Sequence, residues 1–223
     1  ERLSDPSRSL MGAAQEAWLD AELRASVARG AAWRILANQV VVARMRGPDF
    51  FLHMPQDMID ALPAGGRRWL EGARSGLPIN LDSWDGYWAA RLRLYDSLRA
   101  SGGRTAILSG DTHMFWGNLL HDPRDETPLA VEFGVAGVTS PGGYEGLTDD
   151  PRIFDLAPRA LVAHNPDVRF AEVRSRGFLV VTASRDGIAC DYRRVRTVLE
   201  RDASAETFAR LESVDGRSLE RAV

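Results

Sequence analysis

Asp111 and His113 stand two residues apart, directly after the apolar run Ala106-Ile107-Leu108 and with Gly110 just before them. On an extended chain the side chains at i and i+2 share a face. A carboxylate and an imidazole would then converge on one point off the end of a strand. Gly110 lets the backbone turn sharply and come close to a ligand. The pair suits manganese, iron or zinc better than a pure magnesium or calcium site, because imidazole is a borderline nitrogen ligand. Taken alone, it reads equally as an aspartate capping a turn beside a solvated histidine.

A second acidic segment, Asp82-Ser83-Trp84-Asp85-Gly86-Tyr87, precedes a helical pattern. Asp82 has a strong claim to be a helix cap. Asp85 lies before Gly86, where the backbone can bend. Its carboxylate is therefore expected to face the same site and to lie nearer to it than Asp82. Trp84 reads first as a core anchor and second as a pocket wall. His53 and His121 read as solvated, and His164-Asn165-Pro166 as a turn. Ser140 sits among glycines, but Pro141 after it would disturb the strand-to-helix elbow of a serine hydrolase.

These groups need elements to hold them. Thr105 to Leu108 reads as the strand that delivers Ser109 to His113. Ahead of it, Trp88, Leu92, Tyr95 and Leu98 mark a helix closing at Gly102-Gly103. From Met11 to Val27 the residues Ala14, Trp18, Leu19 and Leu23 fall at helical spacing. Trp33 to Met45 contains a buried-strand pattern, clearest at Asn38 to Ala43. Residues 46–80, rich in proline and glycine, read as a long loop with one short helix near Asp57 to Leu62. Leu129 to Val138 reads as a strand and Phe154 to Val162 as a helix. Val168 to Val173, Phe178 to Ala183 and Ile188 to Tyr192 read as consecutive antiparallel strands, the last pair joined at Arg185-Asp186-Gly187. The order suits a layered α/β architecture with mixed sheets.

The 223 residues are enough for one large domain or most of one. With 44% hydrophobic and 26% charged residues, disorder is not the default. A net charge of −3 gives no nucleic-acid footprint. All the basic residues are arginine, which points to the coding bias of a G+C-rich genome rather than to a phosphate-binding device. Cys190 is the single cysteine, so no intrachain disulfide can form. No apolar run is long enough to span a bilayer, and no signal peptide is visible. The chain starts at Glu1, and its true N-terminus is expected upstream.

Several motifs occur together and in order between Leu10 and about Val198. They are Gln15 with Trp18-Leu19, Trp33 with Asn38-Gln39-Val40, Asp82 to Tyr87, and Ser109 to His113 with Phe115-Trp116. Glu132-Phe133 with Thr139-Ser140-Pro141-Gly142, and Asn165-Pro166 with Arg176-Gly177, complete the set. In this the chain resembles the C-terminal half of the PhoD-like alkaline phosphatases, a branch of the calcineurin-like metallophosphoesterases. Most of that superfamily ends its metal site with Gly-His-x-His, and this branch has Ser-Gly-Asp-x-His there.

The resemblance implies part of a four-layer α/β/β/α sandwich ending in an antiparallel β meander. Residues 1–200 would form half of the phosphatase domain, and 201–223 a polar tail, read as a loose helix. It implies hydrolysis of phosphate monoesters or diesters by metal-activated water, in the periplasm or outside the cell. Asp85, Asp111 and His113 would be metal ligands, with Trp84 and Thr112 against the substrate or behind the ligands. The cluster would combine iron with calcium. The family's Gly-Asp-x-x-Asp and Asn-His-Glu or Asp-Asp-His segments are absent from the sequence. The expectation is therefore a partial site, and an open apolar sheet face or edge where a missing N-terminal half would pack. The alternative is a non-catalytic half that acts only through that packing.

Overall fold

The computed structural model describes residues 3, 5–148, 150–201 and 204–222 and places their strands in two sheets. The first sheet has the order β1 (Arg34–Val40), β2 (Thr105–Gly110), β4 (Pro128–Gly134), β3 (Phe115–His121), β5 (Val168–Glu172). β1 pairs with β2 and β2 with β4 in parallel, while β3 runs antiparallel to both its neighbours. The second sheet is an antiparallel meander of β6 (Gly177–Ala183), β7 (Ile188–Val195), β8 (Ala205–Ser213) and β9 (Glu220–Arg221). The helices are α1 (Ala13–Ala28), α2 (Gln56–Asp60), α3 (Ala64–Ala73), α4 (Trp88–Ser101) and α5 (Ile153–His164).

Strand alternation builds two cores from one sheet. On β3, Trp116 and Leu120 face a helix layer containing Leu94 and Leu98 of α4 and Leu156 and Leu161 of α5. Phe115 and Leu119 face the meander, packing with Tyr192, Ala209 and Leu211. The Tyr192 hydroxyl bridges the sheets by donating to the Trp116 carbonyl at 2.7 Å. Gly117 leaves room for this contact, since a Cβ there would sit 2.1 Å from Leu211 Cδ1 and force that side chain to shift. The layers are helix, mixed sheet and meander, which is part of the expected sandwich.

Four expectations differ from the structure. Val168 to Glu172 does not open the meander but pairs with β3 in the first sheet. The stretch expected to be a polar tail and loose helix contains β8, because Ala209 and Leu211 alternate inward between outward polar residues; positions 202, 203 and 223 lie outside the described residues. The long loop holds a second helix, α3, that starts after Pro63. Its Gly66, which had looked like a loop residue, lets the helix press on the chain, for a Cβ would meet the Leu147 carbonyl at 2.4 Å.

The fourth difference matters most for the site. The strand pattern in Trp33 to Met45 forms β1 at Arg34–Val40, but its clearest part, Asn38 to Ala43, runs past the strand's end, and Val41, Val42, Ala43 and Met45 are all buried outside any strand. Buried backbone amides need partners, and here distant side chains supply them. Glu132 accepts from Val42 and Ala43, Asp167 from Arg44, Asp85 from Met45 and Asn165 from Arg46. Five consecutive N–H groups are thus held by three carboxylates and one amide. Asp167 also grips the Arg44 guanidinium through both oxygens.

Candidate active site

β2 ends at Gly110, and the chain then turns through Asp111 to His113 into β3. Asp111 and His113 both adopt left-handed backbone, with φ of 70° and 57°. Aspartate and histidine tolerate that region better than most residues, but each such position costs on the order of 1 kcal/mol and clusters at functional sites. The expectation of i, i+2 convergence rested on an extended chain. The observed backbone is not extended there, so strand alternation does not set these side-chain directions.

Three contacts hold the turn. The Thr112 amide donates to the Gly110 carbonyl at 2.9 Å. The buried Trp116 indole donates to the Thr112 hydroxyl at 2.8 Å, so Thr112 faces inward as a brace. His113 Nδ1 lies 3.1 Å from the Pro141 carbonyl. With its proton on Nδ1, the imidazole donates to that carbonyl and keeps the Nε2 lone pair free. This is the usual way a backbone carbonyl orients a ligating histidine. The side chains of Asp111 and His113 are exposed, so both are open to a ligand.

Asp111 lines a cavity of about 890 Å³ between α1 and β1, together with Asp82, Trp84, Asn38 and Gln39. His113 and Asp85 are not among its lining residues. Among the described residues no three His, Cys, Asp or Glu side chains cluster closely enough to hold a metal. Asp111 and His113 are the exposed carboxylate and imidazole of this turn, and two donors alone do not make a whole metal centre.

Asp85 was expected to face the site from its place before Gly86. Its carboxylate instead turns inward. Oδ2 accepts from the Met45 amide at 2.8 Å, and Oδ1 takes the Arg91 guanidinium at 2.5 Å. Burial pushes the Asp85 pKa up despite the opposing pull of Arg91 and the Met45 amide. Asp82, not Asp85, is the acidic residue of this segment that shares the cavity with Asp111.

Glu132 stands in the motif set without an assigned role, and Asn118, Asp167 and Arg91 were not singled out from the sequence. Glu132 is the single charge in the apolar run of β4, and that anomaly was the available signal. It is fully buried and accepts from Val42, Ala43, Ser109 and Asn118. Burial pushes its pKa up, and those four hydrogen bonds pull it only part of the way back.

Comparison with known proteins agrees with the fold. The family model described as PhoD-like phosphatase matches residues 1–192. Alkaline phosphatase D of Bacillus subtilis (strain 168) is 27% identical over 210 residues, covering 92% of this chain and 30% of that protein. A solved structure described as "Structure of PhoD" superposes with a TM-score of 0.73 at 25% identity, over 99% of this chain and 37% of the other. The chain thus spans about a third of the length of the relatives it matches.

Proposed function

Because this chain belongs to the PhoD-like phosphatase family, we propose that it carries part of a metal-dependent phosphoester hydrolase site, with Asp111 and His113 as two of the metal ligands. One observation supports this above the others. Two exposed donor residues are held in left-handed backbone at the C-terminal end of β2, and the His113 imidazole is oriented through Nδ1 by a backbone carbonyl. When bound, the metals would supply a low-pKa water as nucleophile and neutralise charge on the phosphoryl oxygens. Family resemblance favours iron with calcium. This chain's part is to present one carboxylate and one imidazole and to wall the cavity with Trp84.

The remaining ligands would come from a segment like the longer relatives' additional length. Supporting this, β1 is an edge strand with Ile35 47% exposed, and Trp18 beside it is 59% exposed. An unpaired edge beside apolar side chains is a template for an added strand. Asp111 lies on the cavity that this edge lines. A non-catalytic half that works only through such packing is the second reading.

The test is calorimetric titration of the purified chain with Mn²⁺, alongside p-nitrophenyl phosphate turnover. Weak Mn²⁺ binding that disappears in Asp111→Ala and in His113→Ala, with little or no turnover, is expected. Binding that survives both substitutions would sink the ligand assignment. Metal-dependent turnover abolished by His113→Ala would show that the chain holds a complete site.

A further inference from the structure

Glu132 sits where three segments of the chain meet. Its Oε1 accepts from the Val42 amide at 2.7 Å and the Ser109 hydroxyl at 2.9 Å. Its Oε2 accepts from the Ala43 amide at 3.0 Å and the Asn118 side-chain amide at 2.9 Å. The two backbone amides and the Asn118 NH₂ can only donate, and the Ser109 hydroxyl gives its proton here. A protonated carboxyl could place its O–H only against the Ser109 hydroxyl, which would then have to turn its own proton elsewhere. Three fixed N–H donors favour the acceptor-only, ionised form.

None of these four partners is a cation. Burying an ion without a counter-charge is the costly case, and an apolar residue of similar volume is often the more stable choice at such a place. The carboxylate must therefore do something that an apolar side chain does not. What it does is join three segments: the chain leaving β1 at 42–43, β3 at Asn118, and Ser109, the residue before Gly110. The turn that follows is braced at its far end by Thr112 and Trp116. Its near end is tied through Ser109 alone among these four contacts.

We propose that Glu132 is a positioning residue: as a buried carboxylate it fixes Ser109, and through it the left-handed turn that presents Asp111 and His113, and it locks that turn to the chain at 42–43. The proposal rests on reading Asp111 and His113 as ligands. It predicts that the ligand turn and the segment after β1 loosen together when Glu132 loses its charge.

Two substitutions in the full chain test it. Glu132→Gln keeps the volume but turns an NH₂ on two of the four donors. Ser109→Ala cuts only the link to the turn. Leu211→Ala, in the core between the sheets, is the control for general destabilisation. Amide hydrogen exchange at Gly110 to His113 and Mn²⁺ affinity are the readouts. Supports behind metal ligands are commonly worth about tenfold or more in metal affinity. Both test substitutions are expected to weaken Mn²⁺ by that order and to speed exchange at Gly110 to His113, whereas Leu211→Ala lowers stability without singling out that turn. A folded Glu132→Gln with wild-type exchange at the turn and wild-type affinity would overturn the proposal. If Glu132→Gln fails to fold, Ser109→Ala decides by the same criteria. If the unsubstituted chain binds no Mn²⁺, the ligand reading falls by itself, and the exchange at Gly110 to His113 still decides the role of Glu132.

Discussion

Replacing Asp85 by alanine separates a structural anchor from a metal ligand. The substitution leaves the Arg91 guanidinium, 2% exposed, without its carboxylate, and leaves the Met45 amide without an acceptor. A surface pair of this type would be worth at most about 1 kcal/mol. Removing one partner of a buried pair instead costs about 3–5 kcal/mol, since an uncompensated charge remains. The orphaned amide adds about 1–3 kcal/mol. Relaxation and water entry offset part of that sum, so a net loss of roughly 4 kcal/mol is expected. For a chain of this size about 1 kcal/mol moves Tm by 2–4 °C, so Tm should fall by roughly 10 °C. Asp85→Leu combined with Arg91→Met removes both charges and should recover about half the loss. The assay is thermal and urea unfolding by circular dichroism, with Mn²⁺ titration of each folded variant. Suppose instead that Asp85→Ala melts within a degree or two of the parent and loses Mn²⁺ binding. Asp85 would then be a ligand, and the inward anchor described above would be wrong.

Three further outcomes follow from other contacts. Burial would raise the Asp167 pKa, but hydrogen bonds from Arg44 and His121 outweigh it and hold it at about 2, below its ordinary 3.8. A depressed carboxylate stabilises the fold above its unfolded value and loses that contribution as pH falls from near 4 through 2. Unfolding between pH 5 and pH 2 should therefore show about 2 kcal/mol more acid sensitivity in the parent than in Asp167→Asn. Gly86→Ala would put a Cβ 1.9 Å from the Leu81 carbonyl, whereas Gly72→Ala meets nothing within 4 Å. Urea midpoints should show the first losing about 3 kcal/mol and the second gaining about 0.5 kcal/mol. Thr112→Val removes the acceptor of the Trp116 indole N–H. It should cost about 1–2 kcal/mol and move that indole proton resonance, while Thr112→Ser leaves both nearly unchanged.

The legible parts of this fold were those whose pattern is local. α4 was readable because its apolar positions recur at helical spacing before Gly102, which takes φ of 65° at the cap. β3 was missed because Phe115 to Leu120 is buried on both faces and shows no alternation to read. β8 was missed because Glu206, Arg210 and Glu212 mask the short inward series of Ala209 and Leu211. At the site, residue type and spacing marked Asp111 and His113 as candidates, and the surrounding motifs, not the pair alone, weighted them towards a ligand role. The handedness of their backbone depends on braces from Trp116 and Pro141, which no local pattern encodes. Asp85 was misjudged in direction because its partners, Met45 and Arg91, are set by how the segment after β1 packs against α4.

The row of amides from Val42 to Arg46 bears on the order in which the molecule assembles. Their acceptors lie 40 to 123 residues further along the chain. No bond within this row is local, so each must wait for the closure of a large loop before it returns any free energy. Glu132 reaches position only when β4 has docked beside β2, and Asp167 and Asn165 only when α5 has been laid down and β5 begun. The stretch should therefore remain disordered through the early, helix-rich stages of refolding and set late, when most of the first sheet exists. High sequence separation of this kind slows folding. Once set, these amides share acceptors drawn from three distant parts of the chain, so they should lose hydrogen-exchange protection together, at a free energy close to that of global unfolding.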